Sequence, residues 1–200
     1  MLKIKNLDSE FMNFGPVSFE VGQKEIIGIQ GDSGAGKSIL LKALADMIVH
    51  EGEIYLDDEL QEDIKPDQWR KNVALLPAEV LFWNRKVGDD LKTTENGTLS
   101  ELGFDPSNVM DKNTIDLSSG EKQRIGLLRL LENRPRILLL DEPSANLDEN
   151  NKKIMENIIL KYLEKEKAGI VWVGHDSEQL ERVSSKIFEI KGNTFKEKTK

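Results

Sequence analysis

The chain has 200 residues, 36 of them acidic and 28 basic, a formal net charge of −8 and no cysteine. That length suits one large core, or a core with a small appended subdomain. The acidic balance repels phosphate backbones and anionic lipid, which disfavours nucleic acid as a main partner, and the lack of cysteine excludes disulfides, thiolate metal sites and cysteine nucleophiles.

Residues 1–30 read as strands. Met1-Leu2-Lys3-Ile4-Lys5 alternates and has no signal-peptide core, Val17–Val21 alternates again, and Glu25–Ile29 is a short apolar run rich in branched side chains. A glycine loop follows, and from Ser38 to Ile48 the positions Leu40, Leu41, Leu44, Ala45 and Ile48 keep helical spacing, with His50 closing that helix. Glu53–Leu56 reads as a strand before an Asp57-Asp58 turn, and Val73–Leu76 as a strand stopped by Pro77. Residues 84–116 turn polar, with Gly88, Gly97, Gly103 and Pro106, and read as a small helical insertion. Ser118 opens a helix, with Glu121 three residues on as a capping box and Ile125, Leu127, Leu128 and Leu131 as its apolar face. Arg136–Leu140 is a buried strand, Asn150–Lys165 an amphipathic helix and Gly169–Val173 another apolar strand, and Lys196, Lys198 and Lys200 read as a frayed, solvated end. No apolar run approaches the roughly 18–20 residues needed to cross a bilayer. A cytoplasmic place is therefore expected, with any membrane connection made through a partner.

Gly31-Asp32-Ser33-Gly34-Ala35-Gly36-Lys37-Ser38 fits G-x-x-x-x-G-K-[ST], between a strand and a helix as that phosphate-binding loop requires. Its glycines let several N–H groups point into one concavity, and the helix adds its positive end. Residues Gly31 to Ile39 are the expected nucleotide contacts, with Lys37 at the β and γ phosphates and the Ser38 hydroxyl on Mg²⁺. The strand Ile137-Leu138-Leu139-Leu140 ends in Asp141, placed to reach the Mg²⁺ shell, and Glu142, placed to polarise an attacking water. His175 follows a strand at the end where ligands collect in open α/β sheets, and is expected to hold the water and Glu142 in register. His50 is given no role.

These motifs, with Leu117-Ser118-Ser119-Gly120-Glu121-Lys122-Gln123-Arg124, Ser144-Ala145-Asn146-Leu147-Asp148 and Gly174-His175-Asp176 in this order, resemble the ATP-binding cassette (ABC) ATPase family over nearly the whole chain. The stretch Leu139 to Lys152 with Val171 to Asp176 is most similar to the small ATP-binding subunits of bacterial transporters, some of them assigned to metal or iron export. The resemblance implies an α/β fold: a P-loop NTPase core with a mainly parallel sheet, an N-terminal antiparallel β subdomain and a short helical insertion. Residues 1–200 would form one domain, with 1–83 and 133–200 as catalytic core and about 84–132 as a helical subdomain carrying the signature. It also implies ATP and Mg²⁺ as ligands and a head-to-tail homodimer. In that dimer each ATP lies between the P-loop of one copy and Ser118, Ser119, Gly120 and Glu121 of the other, with Asp148 on the seam. A transmembrane permease is the implied partner, holding the chain at the inner face of the membrane.

Three positions depart from the pattern. The signature's third residue, usually glycine, is Ser119, and its fifth, often glutamine, is Glu121. After Val73–Leu76 the family places a glutamine toward Mg²⁺ and the membrane partner; Ala78 stands there, with Glu79 beside it, so either Glu79 substitutes or those contacts weaken. Phe11 and Phe14 are both candidates to stack on adenine, with Phe11 preferred. Leu81, Phe82 and Trp83 either form an apolar groove for a membrane-subunit helix or belong to the core. The leading reading is the ATP-hydrolysing subunit of a membrane transporter. Set against it are a soluble ABC ATPase of translation or DNA repair, which the missing glutamine favours, and a nucleotide switch with little hydrolysis, which Glu142 and His175 disfavour.

Overall fold

The structure, a computed structural model, describes residues 1–91 and 96–198. Four strands, β1 (Leu2–Asp8), β2 (Val17–Val21), β4 (Glu51–Leu56) and β5 (Glu59–Leu60), form an antiparallel sheet in the order β2-β1-β4-β5. The second sheet holds β3 (Ile26–Gly31), β6 (Val73–Leu76), β7 (Ile137–Asp141), β8 (Gly169–Val173), β9 (Lys186–Lys191) and β10 (Thr194–Glu197), in the order β10-β9-β3-β8-β7-β6. All its pairings are parallel except the β9–β10 hairpin.

Every residue of β7 and β8 is buried, as expected for parallel strands covered on both faces. Alternation along them divides the core in two. Ile137, Leu139, Val171 and Val173 face Leu2, Ile4 and helix α1 (Lys37–Leu44). Leu138, Leu140, Ile170 and Trp172 join the cluster built from helices α6 (Ser119–Leu131) and α7 (Glu149–Glu166). Helix α2 (Pro66–Asn72) contributes the fully buried Trp69, whose Nε1 donates to the Leu44 carbonyl at 2.9 Å and so ties off the end of α1. The expected insertion is present as three short helices, α3 (Val87–Asp90), α4 (Asn96–Glu101) and α5 (Pro106–Val109). Their Val87, Leu99 and Val109, with Leu102 just after α4, enter the same cluster as α6 and α7. Residues 92–95 of that expected insertion lie outside the described residues.

Two expectations are corrected. Helix α1 ends at Leu44, not Ile48, because Asp46 takes a left-handed backbone (φ 56°) and Trp69 holds the last turn. His50 therefore closes no helix: it precedes β4, and its Nε2 lies 3.0 Å from Gln61 Oε1. The lysine-rich end is also not frayed as far as Lys198. Lys196 lies in β10, whose Phe195 stacks on Phe188 with ring centroids 4.7 Å apart, and Lys198 N–H donates to the Ile187 carbonyl at 2.7 Å. Lys200 lies outside the described residues.

Candidate functional site

Parallel pairing sets the site. Ile29 of β3 is level with Val173 of β8, Val173 with Asp141 of β7, and Leu140 with Leu76 of β6. The loops after β3, β7, β8 and β6 thus leave one carboxyl edge of the sheet, where open α/β sheets bind ligands. They carry Gly31–Ser38, Glu142, Gly174–His175 and Pro77–Glu79 respectively.

The glycine loop adopts a conformation that other residues cannot copy cheaply. Gly34 (φ 77°) and Gly36 (φ 100°) are left-handed, and a Cβ on Gly36 would lie 3.0 Å from the Phe14 ring. Asp32 and Ser33 are exposed, Ala35, Ser38 and Ile39 half-buried. Lys37 is 5% exposed and donates from Nζ to the carbonyls of Gly31 (2.7 Å) and Asp32 (2.9 Å). Burial pulls its pKa down, opposed by the charges of Glu142, Asp141 and Asp32. The ammonium is therefore held inside the loop by neutral acceptors, at a cost in desolvation that an incoming anion would offset.

Asp141 is buried, and its Oδ1 has no hydrogen-bond partner. Burial raises its pKa, with the Glu142 charge adding, while a hydrogen bond from Ser38 and the charge of Lys37 oppose. A buried carboxylate oxygen without a partner, next to a serine hydroxyl, is the donor set a hard cation such as Mg²⁺ takes, so these two residues fit that ion. Among the described residues no group of three His, Cys, Asp or Glu could cage a metal.

Glu142 has a left-handed backbone (φ 49°), rare for a non-glycine residue, and its N–H donates to the Val173 carbonyl at 2.9 Å. Glu142 Oε1 lies 2.7 Å from His175 Nε2. The two line a cavity of about 210 Å³ with Pro143, Ser144, Gly174 and Gln179. The structure thus joins the expected base and histidine directly. Of the two adenine candidates, Phe11 is 53% exposed, whereas Phe14 is buried and stacks toward Phe195 at 6.0 Å. Only Phe11 is available to a ligand.

The signature sits on a helix start closed from within. Ser118 caps α6: its hydroxyl accepts from Glu121 N–H at 3.2 Å, while Ser118 N–H and hydroxyl donate to Glu121 Oε2 at 2.8 and 2.9 Å. Lys112 Nζ reaches Glu121 Oε1 at 2.8 Å. Burial works against ionising Glu121, but the bonds from Lys112 and Ser118 outweigh it and bring its pKa to about 2. Ser118 and Ser119 are exposed. A Cβ at Gly120 would meet Leu147 Cδ2 at 2.9 Å, so that glycine lets the 144–148 loop approach. Asp148 caps α7 by accepting from Asn151 N–H at 2.9 Å, which lowers its pKa.

Ala78 and Glu79 are both exposed after β6. Beyond them Leu81 (64%) and Trp83 (88%) are the open apolar side chains, while Phe82 is half-buried under Arg129, 5.0 Å from its ring centre. Trp83 borders a groove of about 420 Å³ with Met47, Arg70, Pro77, Gly126 and Arg129. Sequence reasoning missed Gln123, buried on α6 and donating to the Pro77 carbonyl at 3.1 Å. Its one signal was a polar residue one turn before the core residue Leu127. It also missed Lys112, and a hydrogen-bonded chain from the buried Ser144, Gln179 and Glu156 out to the exposed Arg182.

A family model described as ABC transporter matches residues 14–145. The chain is 30% identical to the probable iron export ATP-binding protein FetA of Escherichia coli K12, covering 94% of this chain and 90% of that protein. It is 30% identical to an uncharacterized ABC transporter ATP-binding protein of Methanocaldococcus jannaschii, over 96% and 74% respectively. Among solved structures, the ATP-binding subunit of an ABC transporter matches with TM-score 0.88 at 20% identity, covering 99% of this chain and 89% of that one. A dimeric ATP-binding cassette in a post-hydrolysis state, bound to ADP and Pi, matches with TM-score 0.82 at 22% identity, over 100% and 98%.

Proposed function

The chain belongs to the ABC transporter family, and from that premise we propose how its residues share the work. It is an ATP-binding and ATP-hydrolysing subunit, turning ATP and water into ADP and phosphate to power a membrane transporter. The observation that carries the assignment of roles is the 2.7 Å contact between Glu142 and His175, set beside Lys37 and the orphaned oxygen of Asp141 on one sheet edge.

In this reading Phe11 stacks on adenine, and the N–H groups of Gly31 to Ile39 cradle the phosphates. Lys37 leaves its two carbonyl acceptors for the β and γ phosphate oxygens. Ser38 and Asp141 hold Mg²⁺, which would draw charge off the phosphates. Glu142 takes a proton from water as its oxygen bonds the γ-phosphorus in line, and the bond to the bridging oxygen breaks to release ADP. His175 steadies Glu142 through their contact. Ser118, Ser119, Gly120 and Glu121 complete the site from a second copy, with Asp148 near the seam. The helix start at Ser118 and the dimeric cassette of the same fold support that arrangement. We assign residues 1–83 and 133–200 to the catalytic part and about 84–132 to the helical part.

No helix among the described residues is long and apolar enough to cross a membrane. In this reading the chain meets the membrane through a permease subunit, at its inner face, as the transporter ATP-binding relatives suggest. The groove beside Trp83 and the open Leu81 are where we place that subunit's helix. FetA is named for iron export, which makes metal-ion export the cargo class to test first. The test is co-purification from native membranes in mild detergent. The expected result is one near-stoichiometric polytopic protein, lost when Trp83 and Leu81 are changed to Ser. Recovery of a ribosome or a repair complex instead would return the assignment to a soluble ABC ATPase.

A further inference from the structure

A carboxylate at the start of α6 poses a problem for an ATP sandwiched between two copies, and the role argued for Lys112 rests on that sandwich. Glu121 occupies both donors of Ser118, its N–H and its hydroxyl. The γ-phosphate of an ATP carried by the second copy must approach this same helix end. It meets a negative charge there, and a serine already engaged. Glutamine, frequent at this position in the family, would bring no charge.

The structure holds a counter-charge in place. Lys112 Nζ lies 2.8 Å from Glu121 Oε1, the oxygen that Ser118 does not use. Lys112 is fixed by its backbone on both sides. Its N–H donates to the Val109 carbonyl at 3.1 Å, and its carbonyl accepts from Val87 N–H at 3.1 Å. The adjacent bridge between Lys86 and Asn113 pairs the two segments. Arg124 also feels the charge of Glu121, but its hydrogen bonds go to other groups: from Nη1 to the Leu102 carbonyl and Asn151 Oδ1 at 2.6 and 2.9 Å, and from Nε to the Gly120 carbonyl at 3.3 Å, while Asp148 accepts from Asn151. Lys112 is thus the cation that meets Glu121 directly.

We propose that Lys112 is a positioning residue for ATP-driven dimer closure: it neutralises Glu121 and draws the carboxylate onto itself, so that Ser118 can turn its hydroxyl and N–H to the phosphate bound by the partner copy. The insertion, otherwise an accessory to the fold, thereby contributes to the nucleotide site across the dimer.

The experiment measures ATP-Mg-driven dimerisation by sedimentation in the hydrolysis-blocked Glu142→Gln background, and apparent KM and kcat for ATP in the active chain. Lys112→Met should shift the dimerisation midpoint and the KM upward about tenfold, two part-exposed pairs being lost per dimer, with kcat changed less than twofold. Lys112→Arg should restore both. Adding Glu121→Gln to Lys112→Met should bring the midpoint back to within about twofold of the parent, because the charge that needed neutralising is gone. A parental midpoint for Lys112→Met overturns the proposal. So does a double variant as impaired as Lys112→Met alone, since that is the behaviour of a lysine that merely holds the insertion together. Failure of the Glu142→Gln chain itself to dimerise with ATP is a different outcome: it removes the sandwich, and this role of Lys112 with it.

Discussion

The carboxyl edge of the parallel sheet and the start of α6 both present themselves to phosphate, but they are finished differently. At the sheet edge polar groups are left wanting. Asp141 Oδ1 has no partner, Lys37 rests on neutral carbonyls, and Glu142 holds a left-handed backbone. At the helix start the side chains of Ser118 and Glu121 are satisfied within the chain, through their reciprocal cap and Lys112. The first region, with an unpartnered carboxylate oxygen and a desolvated ammonium, gains by binding a cation and an anion. The second is stable alone, and must exchange existing hydrogen bonds for new ones when it engages. In the proposed function the first surface takes the nucleotide in the single chain, and the second, in the role inferred for Lys112, sets a threshold for closure.

The contrast can be broken from the sheet side first. Glu142→Gln should lower kcat by about 10²–10⁴-fold, the usual yield of a positioned base, with ATP affinity kept or tightened. Turnover at the parental rate would sink the assignment of the base. Lys37→Ala removes charge-assisted hydrogen bonds worth about 1.5–3 kcal/mol, so ATP affinity by calorimetry should fall on the order of 10- to 100-fold; unchanged affinity would mean that the ammonium stays on the loop carbonyls. His175→Ala should cost kcat about tenfold or more and leave ATP affinity nearly untouched. An effect on affinity alone would show that the histidine serves binding.

The helix side responds more mildly, through pH. The folded pKa of Glu121, about 2, lies below its ordinary value of 4.5. The stability its carboxylate brings is therefore present above pH 4.5 and drains away as pH falls toward 2. The melting-temperature gap between the parent and Glu121→Gln should narrow between pH 5 and pH 3. A gap that stays constant would mean the carboxylate is not held by Ser118 and Lys112.

Much of the sheet edge was legible in the residues. The glycine spacing of 31–38, the apolar strands ending in Asp141 and Gly174, and the Ser118–Glu121 cap each depend on neighbours in sequence. What escaped depends on distant partners or on backbone shape. Phe195 sits among lysines and threonines, and its ring partners are the distant Phe14, Phe19 and Phe188. The end of α1 is set by Trp69, some 25 residues on. The left-handed turn at Glu142 leaves no mark in composition. Lys112 stands nine residues before Glu121, across an irregular segment that no periodicity describes.

The aromatic stack behind the glycine loop has a temporal consequence. Gly36 rests against Phe14, and Phe14 against Phe195 of the β10 strand. A ribosome adding about 5–20 residues per second needs roughly ten to thirty seconds to travel from one to the other. Over that interval the nascent chain already holds the complete G-x-x-x-x-G-K-[ST] loop and Phe14, but not the outer ring of the stack. The loop's support is therefore finished only when the last strand of the sheet has been made.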